Sequence, residues 1–106
     1  MNYIVLDLEW NQSADGKAYT NSRIPFEIIQ IGAVKLDENF SEISQFDRYI
    51  RPAVYTKLHD KVQEILNVTI EELTCIGHDF TDVANDFIRW CGDCLLYTSD
   101  AADEAR

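Results

Sequence analysis

The stretch "YIVLDLEWNQ", residues 3–12, begins like a buried β-strand and ends in two acidic side chains. Apolar residues at Ile4, Leu6 and Leu8 alternate with the others, which is the two-residue period of a strand. Because alternate residues of a strand point to the same face, Asp7 and Glu9 should converge on one patch, with Cα atoms about 6.6 to 6.8 Å apart.

Two ionised carboxylates on one patch repel each other unless a positive charge lies between them, and a divalent cation commonly supplies that charge. Oxygen ligands suit Mg²⁺ or Mn²⁺. Asp7 can hold a first ion while the longer Glu9 reaches a second, as in sites that transfer phosphoryl groups with two metals. The plainer interpretation is that both side chains are solvated at the end of a strand, and the spacing alone leaves both interpretations open.

The rest of the sequence predicts two more strands and then helices. Residues 26–40, "FEIIQIGAVKLDENF", and residues 44–51, "SQFDRYIR", are typical of strands. Three consecutive strands favour an antiparallel meander. The sequence predicts a short helix over residues 57–68, and Thr69 and Glu72 form a capping-box pattern for a second. Residues 79–92 carry apolar positions at helical spacing and predict a third.

Length and charge restrict the class of protein. The 106 residues suffice for one small domain, and the net charge of -10 argues against a basic face that grips nucleic acid through phosphates alone. No stretch approaches a membrane span, and the N-terminus lacks the basic start of a signal peptide, so we expect a cytoplasmic protein without a membrane partner. Three cysteines do not suggest a disulfide framework.

Five blocks follow one another along the chain: "YIVLDLEWNQ", "FEIIQIGAVKLD", "FDRYIRP", "LHDKVQEILNVTIEEL" and "FTDVANDFIRWCGD". Together they resemble the N-terminal half of the DEDD-superfamily 3′–5′ exonucleases, which include RNase T and the proofreading subunit of bacterial replicative polymerase. The resemblance runs from about residue 2 to residue 93. It implies an α/β, ribonuclease-H-like exonuclease fold in truncated form. Such a fragment has a three-stranded antiparallel meander followed by helices, with the later strands and the C-terminal helices missing.

The resemblance also implies an activity and a site. The activity is hydrolysis of terminal phosphodiesters in DNA or RNA by two Mg²⁺ or Mn²⁺ ions, with single-stranded or 3′-terminal nucleic acid as the partner. Asp7 and Glu9 would both be catalytic and metal-binding residues, with Asp7 bridging both ions and Glu9 binding one of them. Leu8, Trp10 and Asn11 would contact the terminal nucleotide. The choice between DNA and RNA, the pathway and the oligomeric state are not determined by the sequence.

The same family needs two more acidic residues and a catalytic histidine, and nothing here matches those blocks. His59 and His78 precede the expected place, and we predict that they only flank helices. The last stretch, residues 94–106, resembles a translated sequencing adaptor, so we expect residues 1–93 to be the native exonuclease part. Because these catalytic residues are missing, we expect the chain to be inactive. We also expect it to be poorly soluble, because its first strand would become an open apolar edge.

Three alternatives stay open at this point. A haloacid-dehalogenase phosphatase also begins with a strand and an acidic pair, but its pattern is Asp-x-Asp. A non-catalytic module of exonuclease-like fold could bind nucleic acid or protein. A thiol-redox protein would use the Cys91–Cys94 pair and would need a Cys91 thiol of low pKa.

Overall fold

The computed structural model describes residues 1–98, which form one mixed sheet, three α-helices and a short 3₁₀ helix (Lys17–Tyr19). The strands are β1 (Tyr3–Asn11), β2 (Glu27–Leu36), β3 (Glu42–Tyr49) and β4 (Leu95–Thr98), in the spatial order β3-β2-β1-β4. The first three run antiparallel to one another, so the predicted meander is confirmed. β1 continues two residues beyond Glu9, because Trp10 and Asn11 still pair with β2. The acidic pair therefore lies within the strand rather than at its end.

A fourth strand corrects the expectation that β1 is an open edge. Leu95–Thr98 runs parallel to β1 and pairs with Tyr3, Ile4, Val5 and Leu6. This half of β1 is consequently interior to the sheet, and its backbone groups have partners on both sides. The basis for predicting poor solubility is thus wrong over Tyr3–Leu6. Residues 99–106, which include most of the suspected tail, lie outside the described residues.

The longest helix, α3 (Phe80–Cys91), covers one face of the sheet. Its apolar stripe packs Val83, Phe87 and Trp90 against buried strand residues, which are Ile4, Leu6, Ile31, Ala33 and Phe46. The Trp90 indole N–H donates to Ser44 Oγ on β3 at 2.9 Å. The ring of Phe46 meets that of Phe87 edge-on, with centroids 5.4 Å apart. Helical periodicity in the sequence therefore identified the element that forms the main core.

A second, smaller core lies under α1 (Asp60–Leu66) and α2 (Ile70–Ile76). It contains Ile29, Leu58 and Leu73, all buried. Ile29 reaches it through a β-bulge: Glu9 pairs with Gln30 and Trp10 with Ile28, which leaves Ile29 as an extra residue on β2. Because a bulge shifts the alternation by one, neighbouring residues of one apolar run can serve two different cores.

The helix ends agree with the sequence signals, with one difference. Thr69 and Glu72 form the predicted capping box at the start of α2. The helix predicted over residues 57–68 is shorter, since His59 caps its start and Asn67 adopts the left-handed conformation at its end, with φ 56°. His59 and His78 both flank helices, as predicted. Among the described residues, no helix is long and apolar enough to cross a membrane.

Candidate metal and nucleic-acid site

The acidic pair lies on the face of β1 opposite the one that α3 covers. Asp7 is exposed and stands opposite Gly32 of β2, whereas Glu9 is half-buried and stands opposite Gln30. As alternate residues of one regular strand, the two carboxylates share a face, which is what the sequence predicted. Two carboxylates thus lie where a cation can approach from solvent.

A third acidic residue lies in line with Asp7 across the sheet, but it stands on β3 and pairs with β2 instead of β1. Asp47 of β3 stands opposite Gly32, so two strand spacings, about 9.4 to 9.8 Å, separate it from Asp7. Its Oδ1 accepts a hydrogen bond from Gln30 Nε2 at 3.0 Å. Gly32 puts no side chain between the two aspartates. Within residues 1–98, no three His, Cys, Asp or Glu side chains form a group that could hold a metal ion.

The end of β1 is fastened to the segment before α1 by a buried amide. The Asn11 side chain is 0% exposed, donates from Nδ2 to the Lys57 carbonyl and accepts from the His59 N–H, both at 2.9 Å. Because Asn11 follows Glu9 by two residues, it points to the same face as the acidic pair. Residues 57–59 are thereby held beside the acidic face.

A buried carboxylate fastens the neighbouring stretch. Glu27, the partner of Asn11 in the β1–β2 register, is only 8% exposed. Its Oε2 accepts from the N–H groups of Ala53 and Val54 at 2.7 and 2.8 Å, and its Oε1 accepts from that of Tyr55 at 3.2 Å. Three backbone donors replace the water that a buried carboxylate would otherwise need. Asn11 and Glu27 together fix residues 53–59 against the sheet.

Of the other predicted site residues, Leu8 and Trp10 lie on the opposite face of β1 from the acidic pair, whereas Asn11 shares its face. Leu8 packs with its side chain against the main core, on the α3 side of the sheet. The Trp10 ring is half-buried and tilted against Phe26, with centroids 6.1 Å apart. Asn11 is buried as described, so its amide serves the backbone of residues 57–59. Contact of these three residues with a nucleotide stays a prediction.

Glu27 was missed in the sequence, although a signal was present. A charged residue directly before the apolar run "IIQIGAV" interrupts a stretch that otherwise reads as a buried strand. A carboxylate in such a place is buried only if it is paired or hydrogen-bonded. The partners, however, are backbone groups some 26 residues further along the chain, which no local pattern reveals.

The Cys91–Cys94 pair gives no support to the thiol-redox alternative. All three cysteines are free, and Cys91 lies half-buried at the end of α3. Burial raises the pKa of the Cys91 thiol and the neighbouring Cys94 raises it further, while Lys35 acts in the opposite direction. A reactive redox thiol needs a lowered pKa, so this thiol is poorly suited to that chemistry.

Comparison with solved structures confirms the fold. The nuclease domain of 3′hExo, described as a DEDDh family member bound to rAMP, superposes with a TM-score of 0.69 at 18% identity, covering 92% of this chain and 50% of that one. Cell-death related nuclease 4 gives 0.63 at 22% identity, covering 84% and 29%. Exonuclease I of E. coli, in complex with a dT13 oligonucleotide, gives 0.66 at 15% identity, covering 92% and 19%.

This chain therefore spans half or less of the length of each of these three proteins. No curated protein matches the sequence. The family model described as RNase_T, exonuclease, matches residues 4–103. Because that match covers nearly the whole chain, the protein belongs to the RNase_T exonuclease family.

Proposed function

We propose that this chain is part of a metal-dependent 3′–5′ exonuclease domain that removes terminal nucleotides from DNA or RNA. The observation that carries the proposal is that Asp7 and Glu9 share the face of β1 that α3 does not cover, within a chain of the exonuclease family. Membership in that family favours this reaction over the phosphatase alternative. The direction of digestion and the metal requirement belong to the proposal.

The residues present fit a hard divalent cation. Asp7 and Glu9 offer only carboxylate oxygens, which suit Mg²⁺ or Mn²⁺, and Mg²⁺ commonly binds through one or two carboxylates while keeping several waters. Asp7 would contact both ions and Glu9 one. When bound, such ions supply a nucleophilic hydroxide from water and stabilise the charge on the phosphate and the leaving 3′-oxygen.

The chain's own residues position and hold these groups. The paired strands β1 and β2 fix the backbone beneath Asp7 and Glu9, so neither carboxylate depends on a loop for its position. Asn11 and Glu27 hold residues 53–59 as a wall beside the acidic face. A rigid strand with a fixed wall favours productive approach of a phosphodiester to the carboxylate pair.

We further propose that the 106-residue chain does not hydrolyse nucleic acid by itself. Within the described residues, no third carboxylate or histidine joins Asp7 and Glu9 in a group that could hold a metal. The same observation favours a second candidate function, a non-catalytic module of exonuclease fold that binds nucleic acid or protein. Metal-dependent binding distinguishes the two candidates.

The division at residue 93 also becomes a proposal, in which residues 1–93 carry the exonuclease part and residues 94–106 are not native. Two observations count against this division. The family match extends to residue 103, and Leu95–Thr98 pairs with β1. The nucleotide sequence of codons 92–106 decides the question directly.

The experiment measures Mn²⁺ binding by the intact chain and by its Asp7→Asn and Glu9→Gln variants. Asp47→Asn is the matched control, because it removes a carboxylate from the same face but outside the pair. We expect both pair variants to lose Mn²⁺ binding and the control to keep it. Equal binding by all four proteins would refute the metal assignment.

A parallel assay follows a 5′-labelled single strand in Mg²⁺. We expect no shortening by the 106-residue chain. Stepwise shortening from the 3′ end that disappears in Asp7→Asn would support the exonuclease reaction and overturn the proposed inactivity. Binding of the strand without metal, unchanged in Asp7→Asn, would instead support the non-catalytic module.

A further inference from the structure

Two segments at the end of β1 concentrate positive charge in an otherwise acidic chain. Residues 12–25 follow β1 directly, and residues 53–61 lead into α1. Together they hold four of the nine Lys and Arg residues but only two of the 19 Asp and Glu residues. The four cations, Lys17, Arg23, Lys57 and Lys61, are all exposed, and we call them the basic rim.

The two segments are joined to each other by contacts at Tyr55 and Lys57. The Tyr55 hydroxyl donates to the carbonyls of Ile24 and Pro25 at 2.8 and 3.0 Å and accepts from the Asn21 N–H at 3.2 Å. Lys57 Nζ also lies 3.5 Å from Asp15 Oδ1 across the junction. These contacts hold the segment that carries Lys57 against the loop that carries Arg23.

Lys57 is the member of the basic rim whose backbone is bound to β1. Asn11, two residues beyond Glu9 on the same face, binds the Lys57 carbonyl and the His59 N–H. The position of the Lys57 backbone is therefore set by the strand that carries the proposed metal ligands.

The ion pair with Asp15 leaves Lys57 able to change partner. Both side chains are more than half exposed, and the Nζ–Oδ1 distance of 3.5 Å is long for a charged hydrogen bond. Exposed pairs of this kind contribute little to stability. A phosphate, which is always charged in nucleic acid, can replace the carboxylate at Lys57 with little loss.

We propose that the basic rim binds the phosphate backbone of a single nucleic-acid strand whose 3′ end lies at Asp7 and Glu9, with Lys57 contacting the phosphate nearest the end. The inference rests on the proposed function, because it assigns the strand's end to the acidic pair. Contacts to phosphates carry no base information, so binding is independent of sequence. The two segments carry four cations and two anions, so their own charge is positive although the net charge of the chain is -10.

The test measures the affinity of the intact chain for a short fluorescein-labelled single strand by anisotropy in Ca²⁺, over a range of salt concentrations. Lys57→Gln is the test variant, and Lys57→Arg should restore binding. Arg89→Gln is the matched control: it makes the same change of charge on α3, the helix that covers the other face of the sheet.

Loss of one phosphate contact on a single strand lowers the slope of log affinity against log salt by about 0.7. Between about 50 and 200 mM salt, Lys57→Gln should therefore lose about 2.6-fold less affinity than the unchanged chain. The Asp15→Asn variant distinguishes two roles of Lys57, which are contact with a phosphate and the ion pair that joins the two segments. If Lys57 contacts phosphate, this variant binds as tightly as the unchanged chain or more tightly, because Lys57 is released.

Two results overturn the inference, and they differ from failure of the proposed function. If Lys57→Gln behaves like Arg89→Gln while the unchanged chain binds, the exonuclease proposal stands and the basic rim is wrong. If Asp15→Asn weakens binding as much as Lys57→Gln, Lys57 acts only by closing the loop. If the unchanged chain binds no strand in any salt, the proposed function fails and the basic rim fails with it.

Discussion

The buried Glu27 carboxylate provides the sharpest test of how the wall beside the acidic face is held. Replacing it with glutamine keeps the size of the side chain and removes the charge. The amide oxygen can take the place of Oε2 and keep the bonds from Ala53 and Val54. The amide NH₂ then faces the Tyr55 N–H, so that two donors oppose each other.

The magnitude follows from the number and type of bonds lost. One hydrogen bond to a charged acceptor disappears, at about 1.5 to 3 kcal/mol, and two others fall to neutral strength. We therefore expect Glu27→Gln to lower the free energy of unfolding by about 3 to 4 kcal/mol. This is a large fraction of the roughly 5 to 15 kcal/mol that holds a domain folded.

The assay is equilibrium unfolding in urea, followed by the fluorescence of Trp10 and Trp90. With a slope of about 1.5 kcal/mol per molar urea, the midpoint should fall by roughly 2 M. Glu64→Gln, an exposed replacement of the same kind on α1, is the control. Amide exchange at Ala53, Val54 and Tyr55 should accelerate in the Glu27 variant more than exchange in β1.

One result would refute this reasoning. If Glu27→Gln and Glu64→Gln unfold at the same urea concentration, the three backbone donors do not depend on the carboxylate. The wall would then be held by Asn11 and the small core under α1 and α2, and the hydrogen bonds at Glu27 would be incidental to stability.

Two further predictions concern a second anchor and a thiol. Asn11→Ala removes two hydrogen bonds and leaves the Lys57 carbonyl and the His59 N–H without their partner, so unfolding should become easier by about 2 to 4 kcal/mol, measured by the same urea titration. Asn85→Ala on the exposed side of α3 is its control, and an equal effect of both would contradict the role of Asn11. At neutral pH, the raised pKa of Cys91 keeps its thiol protonated, so an alkylating reagent should modify the exposed Cys75 first, as followed by mass spectrometry. The rate at Cys91 should rise as the pH approaches that raised pKa, and faster modification of Cys91 than of Cys75 at neutral pH would revive the thiol-redox alternative.

The sequence by itself determined the elements and the acidic pair. The alternation of Ile4, Leu6 and Leu8 predicted β1 and put Asp7 and Glu9 on one face, because the side-chain period of a strand is local geometry. The capping box at Thr69 and the apolar spacing of α3 were likewise predicted, since both depend on neighbours within one or a few helical turns.

Only the tertiary structure decided which residues form each core and which residues bind distant parts of the chain. Nothing in the apolar run of β2 marks where it divides, and only the bulge at Ile29 assigns its residues to two cores. Leu95–Thr98 becomes a strand by pairing with β1, and Glu27 and Asn11 become anchors by binding backbone at residues 53–59. Each of these features depends on hydrogen bonds between residues far apart in sequence, and such partners exist only once the chain has folded.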